Sequence, residues 1–147
     1  MREYLKFYIN GAWVDPVTPK QIAVINPATE SAAGHISMGS AADVDRAVKA
    51  AHAAFASYSQ TSVAERVALL ERVIAEYKKR YADMAAAITE EMGAPVVLAE
   101  KAQAAMGVAH LQSALAVLKD YAFTDARGTT MVVKEPIGVC GLITPWN

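Results

Sequence analysis

The 147-residue sequence predicts an α/β fold in which short strands precede and follow a block of three main helices. Residues 5–14 alternate apolar and polar side chains around an Asn-Gly pair, which is typical of a β-hairpin. Residues 41–118 carry apolar side chains at helical spacing behind two capping signals. Residues 139–143 form an unbroken apolar run, which is typical of a strand covered on both faces of a parallel sheet.

Composition narrows the class of protein. With 54% hydrophobic residues, the chain can bury a core of the size expected for one domain. The net charge is -1 and no basic stripe is present, so neither nucleic acid nor an anionic membrane is expected as a partner. Cys140 is the only cysteine, which excludes an internal disulfide and a multi-cysteine metal site. No export signal or membrane-spanning run is seen, so we expect a cytoplasmic protein.

The first forty residues are predicted to be extended. The pair Asn10 and Gly11 supplies the two positive-φ positions of a type I′ turn between residues 5–9 and 12–14. A short strand is expected over residues 22–25, and a further extended piece over residues 35–38. We expect this arm to serve packing and to carry no chemistry.

Two capping signals open the predicted helices. Ser40 and Asp43 form a capping-box variant that begins an amphipathic helix, and Ser62 with Glu65 repeats the signal. The second helix is expected to be long, because apolar side chains step by fours and threes as far as Met92.

The predicted long helix carries an exposed ion pair between Glu76 and Arg80, and Gly93 is expected to end it. Residues 96–123 are apolar on more than one side, so they predict a third helix buried from several directions. A loop at residues 125–128 and a strand at residues 129–134 are expected to follow.

Five short motifs resemble markers of the NAD(P)-dependent aldehyde dehydrogenase superfamily. Residues 135–139 (Glu-Pro-Ile-Gly-Val) and 143–147 (Ile-Thr-Pro-Trp-Asn) resemble its first nucleotide-domain strand. Residues 9–11 (Ile-Asn-Gly), 25–29 (Ile-Asn-Pro-Ala-Thr) and 91–93 (Glu-Met-Gly) resemble upstream markers in the same order. The resemblance therefore covers essentially the whole chain.

The resemblance implies a division of the chain. Residues 1–127 would be the N-terminal arm and the helices of the nucleotide-binding domain, and residues 128–136 a strand reaching towards the oligomerisation domain. Residues 137–147 would be the first strand and turn of a Rossmann-like nucleotide-binding sheet. A parallel neighbour for that strand would need a crossover of a dozen or more residues. We therefore expect the opening segment of a larger enzyme, with the catalytic domain absent.

The implied activity is the oxidation of an aldehyde to a carboxylic acid with NAD or NADP, through a cysteine thiohemiacetal. The resemblance also implies a full-length homodimer or homotetramer. The nucleophilic cysteine and the general-base glutamate of the family would both follow Asn147. This segment by itself is therefore expected to be inactive.

The resemblance assigns Asn147 as the catalytic oxyanion stabiliser. Oxidation through a thiohemiacetal builds negative charge on the former carbonyl oxygen, and an amide N–H held against that oxygen stabilises the transition state. A carboxamide suits this role because it donates without carrying an ionisable proton. From residue type alone, a helix N-cap would be the preferred interpretation of Asn147.

The same resemblance assigns cofactor binding to four residues at the carboxyl end of the strand, where open α/β sheets bind ligands. Simple turning and packing is an alternative role, above all for the Trp146 ring. The glycines Gly138 and Gly141 do not form a dinucleotide fingerprint, because a first tight Gly pair and a following helix are missing. The four assigned residues are Ile143, Thr144, Pro145 and Trp146.

Other reactive side chains are expected to be inert. Cys140 lies in an apolar run with no His or Lys nearby, which is typical of a structural thiol. No metal site is expected, because the three histidines form no ligand pair. By the resemblance, Glu91 with Val24 and Ile25 falls where some family members hold a monovalent cation. A glutamate on a solvated last helical turn is the preferred interpretation of Glu91.

The heptad-like stripe over residues 67–92 motivates a different class of function, a non-catalytic helical module that binds a protein partner over residues 62–123. Core packing within one domain is the commoner cause of such a stripe. An open reading frame that continues into a Gly-rich strand–helix turn would favour the enzyme.

Overall fold

The computed structural model describes residues 2–145 as a mixed arrangement of short strands and longer helices. An extended arm is followed by a helical block, as predicted, and then by a hairpin that the sequence did not predict. Asn147 and Trp146, which carry two of the assigned roles, lie outside the described residues.

The predicted hairpin is confirmed. Strand β2 (Phe7–Ile9) pairs antiparallel with β3 (Ala12–Val14). The turn residues Asn10 and Gly11 have φ of 53° and 77°, as a type I′ turn requires.

The rest of the arm is a three-stranded sheet, in which β5 (Ser31–Ser37) lies between β1 (Arg2–Tyr4) and β4 (Gln21–Asn26). Strand β4 (Gln21–Asn26) pairs antiparallel with β5 (Ser31–Ser37), which confirms the extended pieces predicted there. Strand β1 (Arg2–Tyr4) lies parallel to the other edge of β5. The sequence did not predict β1, because its pairing partner is some thirty residues away and three residues show no periodicity.

Both predicted helix starts are confirmed by complete capping boxes. Helix α1 (Ala41–Tyr58) begins after Ser40, and helix α2 (Val63–Lys79) begins after Ser62. In each box the serine side chain accepts the backbone N–H of an acidic residue three positions later, whose carboxylate accepts the serine's own N–H.

The predicted long second helix is divided in two. Arg80, with φ of -104° and ψ of 16°, leaves the helical conformation between α2 and α3 (Tyr81–Met92). The division lets α2 pack on the last helix, α5 (Ala104–Asp120), while α3 packs on the turn that precedes α5. Tertiary packing therefore decides this break, and local propensity does not.

The predicted ion pair between Glu76 and Arg80 is wrong. Glu76 Oε1 lies 2.6 Å from Lys79 Nζ, and Arg80 Nε lies 3.4 Å from Asp83 Oδ2. Each of these two side chains takes an i,i+3 partner instead, although the backbone N–H of Arg80 still donates to Glu76 O at 3.2 Å.

Gly93 ends α3 in the left-handed conformation with φ of 80°, as predicted. A short helix α4 (Val96–Leu98) follows and runs through a π-helical segment, Ala99–Gln103, into α5. The helix predicted over residues 96–123 is not buried on several sides among the described residues. Ala99 is fully buried, but Val97 and Val117 are 66% and 61% exposed, because neighbours cover only one side.

The core is built from small residues where α3 meets the π-helical segment. Alanine suits this position because it lets two helical backbones approach closely and costs no side-chain entropy on folding. Three residues of the stripe that suggested a separate partner-binding hairpin pack on this core, whereas Met84 is 42% exposed. The core interpretation is therefore confirmed for part of the stripe. The buried alanines are Ala85, Ala94, Ala99 and Ala104, against which Tyr81, Ile88 and Met92 pack.

The strand expected at residues 129–134 is confirmed as β7 (Thr130–Val133), but the preceding loop is not. Thr124–Arg127 forms strand β6, which pairs antiparallel with β7 around a turn that contains Gly128 at φ of 61°. Residues 125–127 of the expected loop are strand because each has a partner on β7, which sequence pattern alone could not reveal.

Residues 134–145 contain no helix or strand. A strand is stabilised by hydrogen bonds to a neighbour, and within the described residues no strand pairs with 139–143. Ile143 is 100% exposed and Leu142 is 88% exposed. Cys140 is exposed as well, so its predicted burial is wrong for this structure. The assignment of residues 137–147 to a nucleotide-binding sheet stays a prediction.

Candidate functional site

Three of the four residues assigned to cofactor binding follow one another in the segment 134–145. Ile143, Thr144 and Pro145 are all exposed, and none of them lines a cavity found among the described residues. The structure therefore presents these three residues without assembling a cleft around them. Asn147 and Trp146 have no described position.

Glu91 lies at the end of α3, where β1 approaches it. Glu91 Oε1 is 3.6 Å from Arg2 Nη1, and Glu90 Oε2 is 2.6 Å from Arg2 Nη2. A cavity of about 80 Å³ beside this ion pair is lined by Arg2, Val24 and Glu91 among others. The resemblance associates Val24 and Glu91 with a monovalent cation. Because a guanidinium already faces the carboxylate, the described residues do not fit a free ion there.

Two of the larger clefts that flank α2 carry arginine on their walls. One, of about 920 Å³, lies between β1 and the faces of α2 and α3, with Arg72 and Tyr77 on its wall. The other, of about 710 Å³, lies where the base of the β6–β7 hairpin meets the start of α2, with Arg66 and Lys134 on its wall. Arg66 donates to Ser59 O and Thr61 Oγ1, so its guanidinium is already engaged within the protein.

Asp43 joins the arm to the helical block, a role that the capping signal indicated only in part. It is 3% exposed, and its Oδ1 accepts the N–H of Val17 at 2.9 Å. Its Oδ2 accepts the Ser40 hydroxyl at 2.6 Å and the Ser40 N–H at 2.9 Å. These hydrogen bonds, with that of the Ser40 hydroxyl the strongest, hold the pKa of Asp43 below its ordinary value, and Arg46 assists.

Two tyrosines hold the π-helical segment and the first residue of α5, and no sequence pattern predicted these contacts directly. Tyr77 donates its hydroxyl to Ala104 O at 2.9 Å, and Tyr81 donates to Glu100 O. Burial raises the pKa of the Tyr77 hydroxyl. Gly107 leaves room for the Tyr77 ring, because a Cβ at that position would collide with it. A glycine inside an otherwise helical pattern is the one sequence signal for this contact.

Metal ligation finds no support within residues 2–145, where no three His, Cys, Asp or Glu side chains are grouped to hold an ion. None of the helices there combines the length and the apolar character that crossing a membrane requires.

Comparison with known proteins gives one consistent result. The profile of the aldehyde dehydrogenase family matches residues 13–147. The chain is 51% identical, over its whole length, to a 3-succinoylsemialdehyde-pyridine dehydrogenase of a Pseudomonas species, and it spans 31% of that protein. It is 50% identical to an aldehyde dehydrogenase described as putative from Staphylococcus aureus, again over 31% of the relative's length.

The fold agrees with the sequence. One similar structure is that of a mutant of aldehyde dehydrogenase C from Pseudomonas syringae, solved in complex with NAD+ and octanal. The match covers 96% of this chain and 29% of the Pseudomonas syringae chain. The TM-score of that match is 0.93 and the identity is 47%. The family profile, the relatives and the shared architecture agree, and we conclude that this chain belongs to the aldehyde dehydrogenase family and corresponds to the N-terminal third of its members.

Proposed function

We propose that the protein containing this segment oxidises an aldehyde to a carboxylic acid with a nicotinamide dinucleotide as hydride acceptor. The observation that carries the proposal is the match over the whole chain, at 51% identity, to a semialdehyde dehydrogenase. The reaction passes through a thiohemiacetal on a cysteine. That cysteine and a general-base glutamate would lie in the part of the relatives that this chain does not span.

NAD+ is the proposed cofactor in preference to NADP+. Support comes from the Pseudomonas syringae enzyme, which was solved with NAD+ and whose structure this chain matches over 96% of its length. The cofactor would supply the hydride acceptor. The exposed residues Ile143, Thr144 and Pro145 would contact it through backbone and apolar groups, together with Trp146.

Asn147 would bind the oxygen that becomes negatively charged in the reaction. The attacking thiolate forms a bond to the carbonyl carbon, and the π electrons move onto the oxygen. An amide N–H held against that oxygen stabilises the transition state more than the substrate. An aspartate at the same position would repel the developing charge.

Location and assembly are proposed on the family resemblance alone. We expect a cytoplasmic protein and a homodimer or homotetramer of the full-length chain. Strand β7 would direct the chain towards an oligomerisation domain, consistent with Met131 and Val133, which are 62% and 54% exposed on it.

The test is an activity assay of the full-length protein with octanal, following the reduction of NAD+ and, in parallel, of NADP+. We expect turnover with NAD+. Replacing Asn147 by Ala should lower kcat by about 10²–10³-fold, which is the cost of losing one oxyanion donor. The matched control is Gln60→Ala, which removes an exposed carboxamide and should leave kcat unchanged.

Two results would count against the proposal, each against a different part of it. No reduction of either cofactor with octanal, benzaldehyde or a semialdehyde would remove the proposed activity. Full turnover by a correctly folded Asn147→Ala variant would leave the activity in place and remove the oxyanion assignment.

A further inference from the structure

The C-terminal end of α3 carries an unbalanced negative charge. Its last turn contains Glu90 and Glu91 and has no basic residue. The unpaired carbonyls at a helix C-terminus add partial negative charge, so carboxylates there are unfavourable and a cation is favoured. A counter-charge must come from outside the helix.

Arg2 supplies that charge from the opposite end of the chain. Each terminal nitrogen of Arg2 faces a different carboxylate. Nη2 lies 2.6 Å from Glu90 Oε2, and Nη1 lies 3.6 Å from Glu91 Oε1. The three side chains are between 34% and 45% exposed. Dissolved salt therefore screens the ion pairs in part.

The backbone of β1 fixes where the guanidinium lies. Arg2 pairs with Gly34 of β5, and a Cβ on Gly34 would lie 2.5 Å from Arg2 O. Only glycine allows this close approach. The pairing of β1 with β5 therefore fixes the position of the Arg2 guanidinium. The same strand covers the hydrogen-bonding edge of β5.

The cavity beside the pair is where the family resemblance would put a free monovalent cation. Its wall includes Val24 and Glu91, and also Arg2 and Gly34. Hard cations take oxygen ligands, yet the Glu91 carboxylate here faces a guanidinium.

We propose that Arg2 is a tethered counter-ion that takes the place of a free monovalent cation at the end of α3. Docking of the N-terminal strand thus offsets part of the negative charge of Glu90 and Glu91 and covers the edge of β5 in one step. The inference goes beyond the proposed oxidation and does not depend on it.

Hydrogen exchange of the β5 amides in the full-length protein tests this role at low ionic strength. The wild-type protein should show equal protection in KCl, NaCl and choline chloride of the same concentration. Arg2→Gln should lower protection by about two- to fivefold, the range expected for a partly exposed ion pair. KCl or NaCl should restore it and choline chloride should not. Arg2→Lys, which keeps the charge, should remain protected in choline chloride.

The matched control is Arg72→Gln, on the neighbouring cleft, since Arg72 has no carboxylate partner among the described residues. It should leave β5 protection unchanged in every salt. Wild-type protection that specifically requires K+ or Na+ would overturn the proposal. So would unchanged protection in Arg2→Gln, or a loss that no small cation restores, which would identify a simple ion pair.

Discussion

Residues 2–133 and residues 134–145 differ in how their apolar side chains are used. In the first region Ile74 is 7% exposed and Ala99 is fully buried between helices. In the second, Ile137, Leu142 and Ile143 are 88–100% exposed, although the run is as apolar as any in the chain. Hydrophobicity alone therefore does not bury a segment. Burial needs a neighbouring element, and within residues 2–145 no strand pairs with the run from Ile137 to Ile143.

The largest expected effect separates the two regions directly. Ile74→Ala should lower the free energy of unfolding by about 2–5 kcal/mol, because it removes buried methylenes and leaves a cavity. Leu142→Ala, the matched control in the exposed segment, should change it by less than about 0.5 kcal/mol. Urea denaturation of the 147-residue chain measures both. Equal costs would mean that the terminal segment packs after all.

The next effect tests how the arm is fixed to the helical block. Gly93→Ala forces a side chain onto a residue at φ of 80°, and the new Cβ would lie 2.6 Å from Pro27 Cγ. Gly128→Ala meets the same backbone cost, about 1–2 kcal/mol, at φ of 61° with open space around it.

Gly93→Ala should therefore cost about 1–3 kcal/mol more than Gly128→Ala, by overpacking against Pro27. Urea denaturation of the two variants gives the difference. If the two variants lose the same free energy of unfolding, Pro27 can move away from the new methyl group, and the β4–β5 turn is not held firmly against the end of α3.

The smallest effect is the pH dependence of the Asp43 contact. Its pKa is lowered in the folded protein, so its contribution to stability is complete above the unfolded value of 3.8 and is lost as the pH falls through the folded value. Asp43→Asn should therefore be less stable than the wild type at neutral pH, and the gap should narrow below pH 3.8. Urea denaturation of both proteins at neutral pH and below pH 3.8 measures this difference in stability.

Asp45→Asn, an exposed change on the same helix, should show no such gap. A difference between wild type and Asp43→Asn that stays constant as the pH falls would show that the carboxylate charge is not what holds Val17.

Much of the first region could be predicted because its signals are local. Ser40 and Ser62 each satisfy helix N–H groups within four residues, and Asn10-Gly11 sets its own turn. The residues that make these interactions are close in sequence, so the sequence pattern is enough to predict them.

Sequence pattern did not predict the features that depend on residues far apart in the chain. The break at Arg80 follows from the different packing partners of α2 and α3, and β1 exists because Arg2 meets Gly34 and two carboxylates. The assigned site residues Ile143, Thr144 and Pro145 came from family motifs, and the described residues bring no cleft to them.

The sequence by itself determined the capping boxes and the Asn10-Gly11 turn, because each depends on residue types within a few positions, and its short motifs identified the family. Tertiary structure alone decided where the second helix breaks, which cation faces the end of α3, and that residues 139–143 have no paired strand here. The physical reason is that burial and charge neutralisation require a second surface, and a chain pattern does not say where that surface lies.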